Sequence, residues 1–278
     1  MARIARAAWN KYIGVLRRLS DRAAKEMLAF STSYEKAYTA GAITEEEYRD
    51  ALIDYAYALA TRYGEGAGAA ACEMYDAIAE LQDANVPPAV PAPTATIEET
   101  AKAVNGTLKT GSLDVVADAV GRLTKQAGAD TTLQNAKRDD AWFAWVAHGD
   151  TCAYCLTLAG LGWQKAGELT LKGGHAEHIH ANCDCTYAID FKGDLEIAGY
   201  NPYEINQSII EMTGGDYDAV DIIRVSGHNA KGHDHTALNE IRRKFYADNK
   251  EIINEQKRSA YAKRIERNSS AAEETYVD

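Results

Sequence analysis

The sequence has little proline, little cysteine and no long apolar run. None of its 278 residues lies in an uninterrupted apolar stretch of about 18 residues, the length that a membrane-spanning helix needs. The N-terminal sequence MARIARAAWNKYIGVLRRL is basic and amphipathic and has no small-residue cleavage site, which argues against a secretory signal. These absences predict no membrane partner, and they place the chain in the cytoplasm of the cell that makes it or in a particle assembled there.

Proline is confined almost entirely to one segment. Four of the five prolines lie in NVPPAVPAPTAT, residues 85–96. Proline lacks a backbone N–H and disfavours helix in the residue before it, so this segment predicts an extended linker. Two capping-box pairs, Thr44 with Glu47 and Thr96 with Glu99, predict helix starts on either side of it.

The apolar pattern predicts a mainly α fold. One long helix is expected over 3–39 and a second after Gly41, which together form a long N-terminal helical hairpin. The sequence GEGAGAAA at 64–71 either breaks the second helix or lets another backbone approach it closely. Further helices are expected over 96–109, 113–126 and 131–148, after Pro202, and as a long C-terminal helix over about 236–267. Short strands are expected only within 150–191, where CDCTYAIDF alternates.

These patterns divide the chain into five regions. They are the long N-terminal helices (1–83), the Pro-rich linker (84–95), a helical region (96–149), a Cys/His metal knuckle with short β-strands (150–191), and a C-terminal helical region and tail (192–278).

Charge is unevenly distributed along the chain. The net charge is -11, but residues 1–24 carry six Lys/Arg against one acid, and residues 231–270 carry ten against six. Residues 25–230 therefore have a net charge of -17. Basic ends suit an acidic partner or nucleic acid, whereas the acidic middle argues against a protein that coats DNA.

The scarce cysteines are concentrated in one place. Four of the five cysteines and three of the seven histidines fall within 34 residues. Cys152 and Cys155 form a C-x-x-C, and His180, Cys183 and Cys185 form an H-x-x-C-x-C after 24 further residues. In a reducing compartment such a cluster predicts zinc, with two ligands from each part of a tetrahedral site. Five candidates compete for four positions, so both a four-thiolate site and a site of three thiolates and one imidazole stay open.

Two structural alternatives to zinc are free cysteines packed in a small core and a disulfide pair. Cys72, the remaining cysteine, is expected to be a small buried filler. If all four metal positions are filled by protein, the site is structural, because no position is left for a reacting water.

Two catalytic alternatives rest on histidine. The HAE at 175–177 resembles the H-x-E of zinc deaminases, but those enzymes need a downstream P-C-x-x-C, which is lacking here. A metal-dependent nuclease of the His-Asn-His kind could use His228, Asn229, His233 and His235. A polar loop is the alternative for these four residues.

The cysteine pattern resembles a known signature. The sequence GDTCAYCLTLAGLGW followed by HANCDC is similar to the Cys/His signature of phage minor head proteins, the Mu F-like or head-morphogenesis family. Members carry a C-x-x-C within CAxCxxLA and an H-x-x-C-x-C some 20–30 residues later, and all five ligand positions match. The resemblance is specific over about 140–190.

The resemblance implies a structural protein of the virion rather than an enzyme. Such a protein is present in few copies at the portal vertex or inside the head of a tailed phage, and it aids head assembly or DNA ejection. Its expected partners are the portal protein and other head proteins, with at most weak contact to packaged DNA. The competing class is a phage-borne enzyme, either a metal-dependent nuclease or a maturation protease.

Overall fold

A computed structural model describes residues 2–109, 112–146, 153–168, 179 and 186–212. The helices are α1 (Arg6–Thr39), α2 (Glu45–Leu81), α3 (Ile97–Leu108), α4 (Leu113–Arg138), α5 (Ala153–Ala159) and α6 (Pro202–Met212). The strands are β1 (Arg3–Ile4), β2 (Trp142–Val146), β3 (Gln164–Lys165), β4 (Thr186–Asp190) and β5 (Glu196–Ile197). The mainly helical fold class is confirmed, whereas the predicted C-terminal helix lies outside the described residues.

The N-terminal hairpin is present as predicted. The turn between α1 and α2 contains Gly41 at a φ of 71°, a conformation that glycine adopts without strain. The Thr44 hydroxyl accepts from the Glu47 N–H at 3.2 Å, and the Glu47 carboxylate accepts from the Thr44 N–H at 2.8 Å. This capping box satisfies two N–H groups that the start of α2 would leave without partners. The predicted helix over 3–39 is shorter at its start, because Arg3 and Ile4 form β1 and α1 begins at Arg6.

The glycine-rich part of α2 allows close packing and does not break the helix. A Cβ added to Gly64 would lie 2.9 Å from the Thr94 side chain, and one added to Gly68 would lie 3.3 Å from Pro91. The helix therefore brings the Pro-rich segment against its own backbone at these two positions.

The helix α4 packs against both helices of the hairpin and against α3. Two predictions were wrong here. The predicted break between helices over 113–126 and 131–148 is absent, because α4 is continuous from Leu113 to Arg138. The predicted helix also does not continue to 148, because it ends at Arg138 and β2 follows it. Gly128 does not interrupt α4, because its bare Cα faces Leu16 and Ala67, where a Cβ would be 3.3 Å from both.

The strand β2 corrects the prediction that β structure is confined to 150–191. The sequence WFAWV favours a helix because three of its apolar residues can share a helical face, but a run this short is equally compatible with a strand. The segment forms a strand because it pairs with β4. Trp142 lies opposite Asp190, and Val146 lies opposite Thr186. A partner 40 to 48 residues away in sequence is not visible in the local pattern.

The Pro-rich segment is extended, as its prolines predict, and is bound along α4. Asn135 donates to the Val90 carbonyl at 2.8 Å and accepts from the Val90 N–H at 3.0 Å. The Thr131 hydroxyl accepts from the Ala92 N–H at 3.0 Å, and the Arg138 guanidinium donates to the carbonyl oxygens of 87 and 88. Side chains of α4 thus satisfy backbone groups that an extended, proline-rich chain cannot pair within itself. The division into five domains stays a prediction.

The three-stranded antiparallel sheet has the order β3-β2-β4 and is buried on both faces. One face presents Phe143, Trp145, Tyr187 and Ile189 to a core that also contains Tyr75 of α2 and residues of α4 and α5. The other face presents Val146 and Ala188 to a core formed with α1. This two-sided burial explains why β2 is apolar throughout and why the apolar residues of β4, Tyr187 to Ile189, do not alternate with polar ones. No helix among the described residues is both long and apolar enough to cross a membrane.

Candidate metal centre

One of the five predicted ligands is described by the structure. Cys155 lies on α5 and is buried, with 1% of its surface exposed. Cys152, His180, Cys183 and Cys185 lie outside the described residues, as do His228, Asn229, His233 and His235. Within the described part of the chain, no three His, Cys, Asp or Glu side chains are close enough together to hold a metal ion.

Cys155 is held by the packing of a short helix. The helix α5 packs against β2 and against α6, and Leu158 and Ala159 share the buried core with Cys155. The Tyr200 hydroxyl donates to the Ala159 carbonyl at 2.9 Å, so one of the last carbonyl oxygens of the helix is satisfied. Burial raises the pKa of Tyr200, which keeps this hydroxyl a donor at ordinary pH. The helix that carries Cys155 is therefore fixed at its C-terminal end.

Ile179, which directly precedes His180, is anchored to α4. Its N–H donates to the Gln126 side-chain oxygen at 2.7 Å, and the Gln126 amide donates to Asp130 at 2.8 Å. The Ile179 side chain is buried in the same core as Cys155. The position next to the histidine is thus fixed both by a hydrogen bond and by apolar packing.

The strand β4 starts at Thr186, directly after Cys185 in sequence. Thr186 is paired with Val146, and Tyr187 is paired with Trp145 across the sheet, with ring centroids 6.0 Å apart. Tyr187 is buried in the core that contains Cys155 and Ile179. Residues that belong to the ligand motifs or lie within two positions of them therefore converge on one core, although 24 residues separate Cys155 from His180.

A hydrogen-bonded carboxylate fixes the far end of β4. Asp190 is fully buried and accepts from three backbone N–H groups, those of Lys192, Gly193 and Leu195, at 2.8–3.1 Å. It also accepts from the Gln82 amide at 2.7 Å. Sequence reasoning missed this group, although an aspartate shortly before a glycine, as in DFKGD, is typical of an Asx-type turn.

Tyr75 of α2 belongs to the same core, and its hydroxyl contacts the end of α4. Its hydroxyl donates to the Asp139 carboxylate at 2.7 Å, and Arg138 donates to the same carboxylate at 2.7 Å. Burial, followed by the bond to Asp139, raises the pKa of Tyr75. Burial also acts to raise the pKa of Asp139, but the hydrogen bonds from Arg138 and Tyr75 outweigh it and lower that pKa below its ordinary value. These contacts support the core that contains Cys155.

Cys72 is distant from the ligand motifs in sequence and is only half-buried, so the prediction that it is a buried filler was too strong. Burial raises the pKa of its thiol, which makes it less reactive than an exposed cysteine.

The basic residues of α1 point away from the bundle. One face of the helix is buried, with Trp9 and Met27 almost fully inaccessible. The following arginines near the N-terminus are all exposed: Arg3 on β1, and Arg6, Arg17, Arg18 and Arg22 on α1.

Comparison with known proteins gives one family. A family model described as VG15 protein matches residues 3–210. The match includes all five predicted metal ligands and stops before His228. No curated protein and no solved structure matches the chain. The chain belongs to the VG15 family, a family of viral proteins found in phages.

Proposed function

We propose that this chain is a minor capsid protein of a tailed phage that acts in head morphogenesis and carries a structural zinc site. The phage family supports the viral origin. The observation that carries the zinc proposal is the convergence of Cys155, Ile179 and Tyr187 on one core, because these residues carry or adjoin the two halves of the ligand set. Four of Cys152, Cys155, His180, Cys183 and Cys185 would bind the metal.

The donor set fits zinc and a structural role. Cysteine thiolates and imidazole are the ligands of structural zinc sites, and a tetrahedron closed by four protein ligands leaves no position for a catalytic water. Zinc would join the helix α5 to the segment that leads into β4. The proposal therefore assigns no enzymatic activity to the site.

The helices supply the surface for assembly. The exposed arginines of α1 lie on an ordered scaffold, and they suit an acidic protein surface. We assign this surface to the portal protein or another head protein, at the portal vertex or inner head, in few copies per virion. Contact with packaged DNA is weak and local, because the middle of the chain has a net charge of -17. The protein would be in the host cytoplasm during assembly and in the virion afterwards.

Purified particles test the proposal. The chain should co-sediment with heads at a few copies per particle, and it should be captured with the portal protein from infected cells. Its absence from purified particles would contradict the capsid assignment. Cleavage of DNA by the purified protein with a divalent metal, abolished by His228→Ala, would favour a nuclease instead, and cleavage of head proteins would favour a maturation protease.

A further inference from the structure

A surface groove lies between α2 and the Pro-rich segment. Its volume is about 590 Å³. The helix α2 forms one wall and contributes Tyr57, Glu65 and Ala69. The other wall is residues 91–98, which comprise the end of the Pro-rich segment and the start of α3. The groove is therefore bounded on both sides by segments whose positions the fold fixes.

The Pro-rich wall of the groove is ordered before any partner binds. Burial along this segment repeats every three residues, because Ala89, Ala92 and Ala95 are buried or half-buried while the prolines and Val90 between them are exposed. A period of three is that of an extended polyproline II chain. The Ala89 N–H donates to the Asp76 carboxylate at 2.8 Å, which adds to the hydrogen bonds that α4 makes with the segment. A partner that binds this wall loses little affinity to ordering it.

The groove combines apolar surface with negative charge. Tyr57 and Ile97 are large side chains that remain 37% and 42% exposed, and exposed prolines line the groove beside them. Glu65 and Glu98 also line it and are exposed, and neither has an ion-pair partner among the residues that the structure describes. None of the described lining residues is basic. The groove thus offers an apolar contact and two carboxylates to the same ligand.

We propose that this groove binds a segment of another protein that presents a large apolar side chain next to an arginine or lysine. The apolar side chain packs against Tyr57 and the prolines, and the cation faces Glu65 and Glu98. A guanidinium can also stack on the Tyr57 ring. Charge complementarity selects this occupant, since the two carboxylates repel nucleic acid and acidic peptides. The inference depends neither on the zinc site nor on the capsid assignment.

The helix α2 provides matched control residues. Glu73 and Glu80 are exposed on the same helix and lie outside the groove. Glutamine is the replacement of choice, because Glu98 lies in the first turn of α3, where a positive side chain would oppose the helix dipole. The pair Glu65→Gln and Glu98→Gln removes the same charge as the pair Glu73→Gln and Glu80→Gln, so the two double variants differ only in where the charge is lost.

The first test uses a defined peptide and the full chain with ¹³C-labelled isoleucine methyl groups. The probe is the blocked peptide Gly-Ser-Leu-Arg-Leu-Arg-Ser-Gly, and its counterpart has glutamate in place of arginine. The methyl signal of Ile97, assigned by its loss in Ile97→Val, should shift with the arginine peptide and stay in place with the glutamate peptide. The dissociation constant should rise about fivefold in the groove variant and stay at the wild-type value in the control variant. An unmoved Ile97 signal, an equal shift with both peptides, or equal constants in the two double variants would overturn the inference.

The second test identifies the natural partner in infected cells. Tyr57 is replaced with the photocrosslinker p-benzoylphenylalanine, and the cross-linked segment is identified by mass spectrometry. That segment should carry an arginine or lysine directly beside a large apolar residue, and its yield should fall about fivefold when Glu65→Gln and Glu98→Gln are added. The control pair should leave the yield unchanged. A cross-link to nucleic acid or to an acidic segment, a yield that falls equally in both pairs, or no cross-link at all would overturn the inference.

Discussion

Gln82 and Asp190 form a buried hydrogen bond that joins the end of α2 to the end of β4. The Gln82 amide donates to the Asp190 carboxylate at 2.7 Å, and its carbonyl oxygen accepts from the Phe191 N–H at 2.9 Å. The contact links residues 108 positions apart and thus ties the sheet to the helical hairpin.

Asp190→Ala should lower the free energy of unfolding by about 2–4 kcal/mol, because it leaves several buried N–H groups without an acceptor. Asp194→Ala is the matched control, since Asp194 also accepts from Gln82, at 3.0 Å, but in a less buried place. The control should cost about 1 kcal/mol or less. Urea unfolding followed by circular dichroism measures the free energy of unfolding of both variants. Equal losses would show that the burial of Asp190 does not determine the loss of stability.

Asp139 should make the stability of the folded protein depend on pH in the acid range. Its pKa in the folded protein is lowered below the ordinary value of 3.8, because the hydrogen bonds from Arg138 and Tyr75 outweigh burial. The contribution is fully present above the pKa of the unfolded carboxyl and is lost as the pH falls through the lower pKa of the folded state. The stability difference between the wild type and Asp139→Asn should therefore shrink between pH 6 and pH 2.

Asp140→Asn is the control for that experiment. Asp140 is largely exposed and is paired with Lys165 at 3.0 Å on the surface, and asparagine tolerates its positive φ of 48°. An exposed ion pair contributes little, so this variant should follow the wild type at both pH values. A constant difference between Asp139→Asn and the wild type across the pH range would refute the proposed linkage.

Local chemistry accounts for the features that the sequence predicted well. The capping boxes at Thr44 and Thr96 need only residues three positions apart, and both are present with the expected hydrogen bonds. The extended segment at 84–95 follows from proline itself. These features do not depend on a distant part of the chain.

The errors arose where a distant residue decides the local structure. The residues Trp142–Val146 form a strand because β4 pairs with them, and Gly128 remains inside α4 because Leu16 and Ala67 pack against it. The convergence of Cys155 with Ile179 was implied by the metal hypothesis, but its cause, a core shared with Tyr187, cannot be derived from spacing.

The crossing of α1 and α4 should be intolerant of added volume at Gly121. A Cβ at this position would lie 2.9 Å from the Ser20 hydroxyl and 3.2 Å from the Ser20 carbonyl oxygen. Gly121→Ala should therefore destabilise the protein by about 1–2 kcal/mol, despite the better helix propensity of alanine.

Gly106→Ala serves as the reference for that change. Position 106 is also helical, and no heavy atom lies within 4 Å of an added Cβ. Here the propensity gain is unopposed, and stability should rise by about 0.5–1 kcal/mol. Thermal or urea unfolding of the two variants should give opposite signs. Stabilisation by both would mean that Ser20 moves aside without cost.

Cys155→Ser should remove zinc from the protein. The wild type, purified under reducing conditions, should contain about one zinc per chain, and loss of one thiolate from a closed site weakens binding strongly. Cys152→Ser should have the same effect. Cys72→Ser is the control, because Cys72 lies outside both ligand motifs and should keep full zinc content. Metal analysis by mass spectrometry measures all four proteins. A metal-free wild type, or a disulfide between the two motifs, would contradict the site.

The exposed arginines of α1 should be needed for incorporation into heads, if the capsid function proposed above holds. Deleting residues 1–40 is not a clean test, because α1 also supplies Trp9 and Met27 to the core. The double change Arg18→Glu and Arg22→Glu reverses charge on the exposed face and leaves the buried face intact. Thermal unfolding should be unchanged, while the amount of protein in purified particles should fall about tenfold.

Arg49→Glu provides the charge control for this experiment. Arg49 is exposed on α2 and lies 3.5 Å from Asp50, away from the row of arginines on α1. If the α1 surface docks to an acidic partner, this variant should enter particles at the wild-type level, and capture of the portal protein by the wild type should weaken as salt is raised. Wild-type incorporation of the double variant would place the docking surface elsewhere. An equal loss in Arg49→Glu would mean that overall charge, and not the face of α1, controls assembly.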